Sequence, residues 1–177
     1  IDIVDGDSSH RNIQLLVIFI WISIYFLLSL DRTQDFYLLL EAGALSRGAI
    51  LEGEIYRIFS SFFLHSSFGH VAANVLVFSA LSQPILRLVD VSRYLNILFI
   101  SSLSASFVTL LAHPCDLVVG ASGGVFGLIG AFLAVKMARN LPGSISFVSD
   151  TYILVLVGFE LLSGALNERV DIYSHIG

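Results

Sequence analysis

Long apolar stretches dominate this chain, at 13–30, 69–86, 94–112, 122–138 and 147–165, with a sixth opening at 172–177. Most approach the ~20 residues that a helix needs to cross ~30 Å of hydrocarbon. They are apolar all round, with neither the one-sided stripe of a soluble helix nor the alternation of a half-buried strand. Composition agrees, since 56% hydrophobic residues, 13% charged residues and a mean hydropathy of +0.87 lie outside the range of soluble domains. The expected fold is an all-α membrane protein, a six-transmembrane-helix bundle in which the sixth helix is incomplete in this chain.

The expected organisation is a short amino-terminal tail, 1–12, followed by one membrane domain, 13–177. Asp2, Asp5 and Asp7 have the wrong charge for the start of a cleavable signal, so the first stretch is expected to be a retained helix. The connection 31–65 is too long for a turn and too apolar for a solvated linker, and is expected to lie partly in the outer leaflet. Pro84, Pro114 and Leu141-Pro142-Gly143 mark the ends of the second, third and fourth helices.

The net charge of −5 comes partly from Asp31, Asp35, Glu41, Glu52 and Glu54 and argues against a nucleic-acid partner. Arg11, Arg87, Arg93, Lys136 and Arg139 fall on one side of the membrane, and Arg32, Arg47, Arg57 and Arg169 on the other. The short loops after helices two and four carry two cations each, which favours a cytoplasmic amino terminus. A single cysteine, Cys115, excludes an internal disulfide and offers no metal cluster, and no cofactor is expected.

Polar residues retained inside hydrocarbon are costly and mark candidate functional positions. His70, Asn74, Ser122 and His175 stand out. His70 and Asn74, spaced i, i+4, share one face of the second helix and can aim an imidazole nitrogen and an amide at one point. Ser122 lies in Gly120-Ala121-Ser122-Gly123-Gly124 at the start of the fourth helix. There the free backbone N–H groups and the helix dipole favour a developing oxyanion. Gly123, Gly127 and Ala131 form a small-residue stripe that allows close approach of another helix. His175, opening the sixth helix, lies on the same side of the membrane as Ser122.

A serine hydroxyl needs a base within hydrogen-bond reach, and histidine suits that role near neutral pH. No carboxylate has an obvious claim as a third member, although Glu168 and Asp171 lie near His175 in sequence. Glu160, inside the fifth stretch, reads as a hydrogen-bonded or snorkelling carboxyl or as a gating group.

These residues resemble the rhomboid family. Gly53-Glu54-Ile55-Tyr56-Arg57 is similar to its Gly-Glu-x-Trp-Arg motif, with Tyr56 in place of Trp. Phe63-Leu64-His65 followed by His70 and Asn74 resembles its second-helix motif, Gly120-Ala121-Ser122-Gly123 its Gly-x-Ser-Gly nucleophile motif, and Ser174-His175 its Ala-His pair. The resemblance implies an intramembrane serine protease with a water-accessible cavity open to the extracytoplasmic side, cleaving single-pass membrane proteins. It implies attack by Ser122, with His175 as base, and oxyanion stabilisation by His70, Asn74 and the Ser122 backbone N–H. His65 would line the cavity or support it, and Arg57 would hold the first loop. The expected partners are transmembrane substrates and the lipid bilayer of a plasma or inner membrane; substrate identity and oligomeric state stay open.

Three other readings compete. A rhomboid-like protein could bind membrane clients without cutting them. A soluble α/β hydrolase would use the same Gly-x-Ser-x-Gly pattern, with 117–119 as its preceding strand. A transporter would call for paired broken helices in corresponding halves, which the sequence does not show.

Overall fold

Trp21 is fully buried near the middle of the first helix, and the bundle is organised around it. Its ring meets Phe62 at 5.4 Å and Phe78 at 4.9 Å between centroids, both edge-on, which ties the first helix to the element before the second span and to that span itself. The computed structural model describes residues 8–29, 36–112 and 117–139, together with 151, 154, 155, 157 and 158.

Helix α1 (Ser8–Ser29) is followed by three short helices, α2 (Phe36–Glu41), α3 (Arg47–Leu51) and α4 (Arg57–Ser60), and a 3₁₀ turn at Ser61–Phe63. Three long helices then follow, α5 (Phe68–Leu86), α6 (Val91–Ala112) and α7 (Ser122–Arg139). Among the described residues, three segments are long and apolar enough to cross a membrane: His10–Ser29, Phe68–Leu86 and Val91–Leu111. Helix α7, apolar over Ser122–Ala138, has 18 residues and a length of roughly 27 Å, close to the thickness of the hydrocarbon layer. Large apolar side chains such as Phe19, Leu27, Ile100, Phe107 and Leu111 face outward, as expected of helices solvated by lipid. The protein is an all-α integral membrane protein.

Helix α1 starts five residues before the apolar stretch at 13–30. The added residues carry His10, and Gln14 follows just inside the stretch; both are polar yet buried here. Gln14 donates to the Ser79 carbonyl at 3.1 Å and accepts from Gln83 at 2.7 Å, so the start of α1 docks beside the end of α5 and the two helices run antiparallel. Ser82 and Tyr94 share a buried hydrogen bond of 2.7 Å that joins α5 to α6.

Over 36–65 the connection has an exposed and a buried side. Leu51, Ile55, Tyr56 and Phe59 are exposed apolar or aromatic groups, suited to an interfacial position. Leu39, Ala44 and Leu45 are instead buried, as are Arg57, Ile58, Phe62 and His65, so the same connection also packs against the bundle. Arg57 anchors the buried side, pairing with Glu54 and donating to the carbonyls of Leu40 and Ala44.

Helices α6 and α7 pack most extensively. A β-carbon at Gly124 would lie 2.6 Å from the Leu98 carbonyl oxygen, and one at Gly127 would lie 2.0 Å from Ser101 Oγ. The close approach therefore uses Gly124 and Gly127, whereas Gly123 turns toward a small polar cavity. Gly127 of the expected small-residue stripe thus faces α6, joined there by Gly124.

Candidate active site

The segment leading to Ser122 is clamped before it turns into α7. Leu45 and Val118 exchange two backbone hydrogen bonds, at 2.9 and 2.8 Å, and the Gly120 amide donates to the Ser61 carbonyl at 3.0 Å. This single antiparallel bridge is the whole of the β-structure among the described residues, so 117–119 is not the strand that an α/β hydrolase needs. Gly120 has a φ of +130°, a conformation that a side chain strongly disfavours. The chain reverses there, and Ser122 becomes the first residue of α7, 3% exposed.

The Val125 amide donates to the Ala121 carbonyl at 3.0 Å. The amides of Ser122, Gly123 and Gly124 thus precede the first intrahelical bond and face the positive end of the helix dipole. Such a turn is chemically suited to stabilising negative charge.

His70 and Asn74 are both buried on α5, and His70 is directed at this turn. A β-carbon at Gly120 would lie 2.7 Å from both Cε1 and Nε2 of His70, so the Nε2 edge of the imidazole occupies the space beside the backbone of Gly120. Asn74 donates through Nδ2 to the His70 carbonyl at 3.1 Å, which fixes the orientation of its amide. Its second N–H hydrogen is not used by that bond.

The start of α5 locks His70 at several points. Ser67 is the N-cap, its hydroxyl accepting from the His70 amide at 3.1 Å, and Ser66 Oγ lies 3.3 Å from His70 Nδ1. Sequence reasoning passed over both serines, although Ser-Ser immediately before an apolar helix is a capping signal. His65 packs edge-on against both His70, at 5.1 Å, and Trp21, at 5.8 Å. Burial holds its pKa well below the ordinary 6.5, and the neighbouring His70 acts in the same direction.

A cavity of ≈ 20 Å³ adjoins Gly120 and Gly123, lined also by Ser61, Ser102, Ser106 and Thr109. It has room for one water molecule among hydroxyl groups. No group of three metal-ligating side chains occurs among the described residues. His175 lies outside the described residues, as do Glu160, Glu168 and Asp171.

The rhomboid domain model matches residues 52–177, well over half of the chain. The chain belongs to the rhomboid family. Its rhomboid relatives include "Putative rhomboid protease YdcA" of Bacillus subtilis (strain 168), 27% identical over 128 residues, which make up 72% of this chain and 63% of that protein. "Rhomboid protease GluP" of the same organism is 28% identical over 163 residues, covering 92% of this chain and 32% of the relative. "RHOMBOID-like protein 5" of Arabidopsis thaliana is 31% identical over 137 residues, covering 76% and 44% respectively. The chain thus spans less than two thirds of the length of these rhomboid relatives. No solved structure matches it.

Proposed function

We propose that this rhomboid chain is the membrane core of a serine endopeptidase that cleaves single-pass membrane proteins near the extracytoplasmic face. The observation that carries the reading is the seating of His70 against Gly120, two residues before a serine that opens a helix. Ser122 attacks the scissile carbonyl, and His175 takes its proton and returns it to the leaving amine. The resulting tetrahedral oxyanion is met by His70 Nε2, the free N–H of Asn74 and the Ser122 backbone amide. Water then cleaves the acyl-enzyme, with His175 acting as base a second time. Arg57 and His65 act indirectly, the first by holding the loop 31–65 and the second by packing behind His70.

The proposed domain spans 13–177, with the amino terminus cytoplasmic in a plasma or inner membrane. The cations Arg11, Arg87, Arg93 and Lys136 lie toward the ends of the helices remote from Ser122, which supports that orientation. A substrate helix must unwind locally to expose its peptide bond, so helix-breaking residues near the scissile bond should favour cleavage. The test is cleavage of a panel of single-pass membrane proteins by the full-length protein in liposomes. Cleavage lost in Ser122→Ala supports the reading. Client binding without cleavage would support a catalytically silent family member instead.

A further inference from the structure

We propose that Ser66 is a positioning residue that fixes the tautomer of His70, so that Nε2 carries the proton and points a donor at the Gly120–Ser122 turn. The inference rests on the oxyanion reading of His70 and adds what holds that ring ready. Ser66 is 4% exposed, and its hydroxyl makes one hydrogen bond among the described residues, to His70 Nδ1. A buried hydroxyl proton needs an acceptor. Nδ1 provides one only when it is unprotonated; in the Nδ1–H tautomer, and in the imidazolium, Ser66 Oγ would accept from Nδ1–H and its own proton would be left without an acceptor among the described residues. Ser66 therefore donates, Nδ1 accepts, and the proton of the neutral ring resides on Nε2.

The surroundings restrict the ring to this orientation. Ser67 caps the His70 amide, His65 packs edge-on against the imidazole, and Gly120 leaves space for its Nε2 edge. Turning the ring over would move Nδ1 away from Ser66 and put the Cδ2 carbon, which accepts no hydrogen bond, in its place. Two adjacent serines thus have different tasks, Ser67 starting the helix and Ser66 setting a proton.

Nitrogen-15 NMR of the full-length protein with labelled histidine, in lipid at neutral pH, reads the tautomer directly, with the His70 signals assigned by their loss in His70→Gln. The expected result is protonated Nε2 and unprotonated Nδ1 in the wild type, a mixture of tautomers in Ser66→Ala, and recovery of the wild-type state in Ser66→Thr. In parallel, kcat for a membrane substrate should fall about tenfold in Ser66→Ala with KM little changed, and return in Ser66→Thr. If Ser66→Ala does not fold, Ser66→Cys retains the side-chain volume with a weaker donor and should show a partial shift. A wild-type Nδ1–H tautomer, or an unchanged tautomer in both Ser66→Ala and Ser66→Cys, would overturn the proposal. The NMR result does not depend on proteolysis: a correct tautomer without cleavage would count against the protease reading alone, and cleavage with the wrong tautomer against Ser66 alone.

Discussion

The imidazole of His70 lies so close to Gly120 that a β-carbon there would sit 2.7 Å from Cε1 and Nε2, placing the histidine beside the backbone that leads into Ser122. Because Gly120 also has a φ of +130°, Gly120→Ala meets both backbone strain and displacement of the ring. The strain alone should cost about 1–2 kcal/mol of stability. Loss of a positioned oxyanion donor should lower kcat roughly 100-fold or more. Thermal unfolding and steady-state proteolysis measure the two effects separately.

His70→Ala and Asn74→Ala should each reduce kcat by about 10²–10³ with little change in KM, because an oxyanion donor acts chiefly in the transition state. An equal rise in KM with kcat unchanged would assign these side chains to substrate binding.

The glycines of α7 should respond in opposite directions. Gly127→Ala drives a methyl group into Ser101 and should destabilise the α6–α7 pair by about 1–3 kcal/mol. A β-carbon at Gly130 meets nothing within 4 Å, so Gly130→Ala should be neutral or stabilising by up to about 1 kcal/mol. Unfolding midpoints in detergent compare the two.

Arg57→Ala removes the donor to two carbonyls, Leu40 and Ala44, and leaves Glu54 without its partner. Each buried group left unsatisfied costs about 1–3 kcal/mol. Faster proteolytic nicking within 36–60 is expected, with only partial rescue by Arg57→Lys, whose single ammonium does not reproduce the guanidinium fork.

His65 gives the stability a defined pH dependence. Its pKa in the folded protein lies well below the ordinary 6.5, so between the two values the unfolded chain binds a proton that the folded chain does not. Its contribution is fully present above 6.5 and declines as pH falls toward the folded-state value. Unfolding midpoints should decrease on acidification below that point, and His65→Gln should flatten the decrease.

Much of the architecture is legible in hydropathy, because a helix solvated by lipid must be apolar over its whole length. The helices at Phe68–Leu86 and Ser122–Arg139 begin within one residue of their apolar stretches. The docking of the start of α1 on α5 is not legible, since Gln14 counts as polar until Ser79 and Gln83 are known to meet it. The i, i+4 spacing of His70 and Asn74 fixes their common face, and the glycines around Ser122 mark a sharp turn. Which serine caps the helix and which meets the imidazole is a tertiary matter, because Ser66 and Ser67 are equivalent as residue types. Burial of Arg57 is equally hidden, since a cation in a loop ordinarily reads as solvated until the carbonyls it serves are in place.

The most direct test of Ser122 as nucleophile is labelling of the full-length protein in membranes with a fluorophosphonate, followed by mapping of the adduct by peptide mass spectrometry. The expected result is a single adduct on Ser122, absent in Ser122→Ala and strongly reduced in His175→Ala. Undiminished labelling of Ser122→Ala, or an adduct on another residue of the wild type, would contradict the assignment.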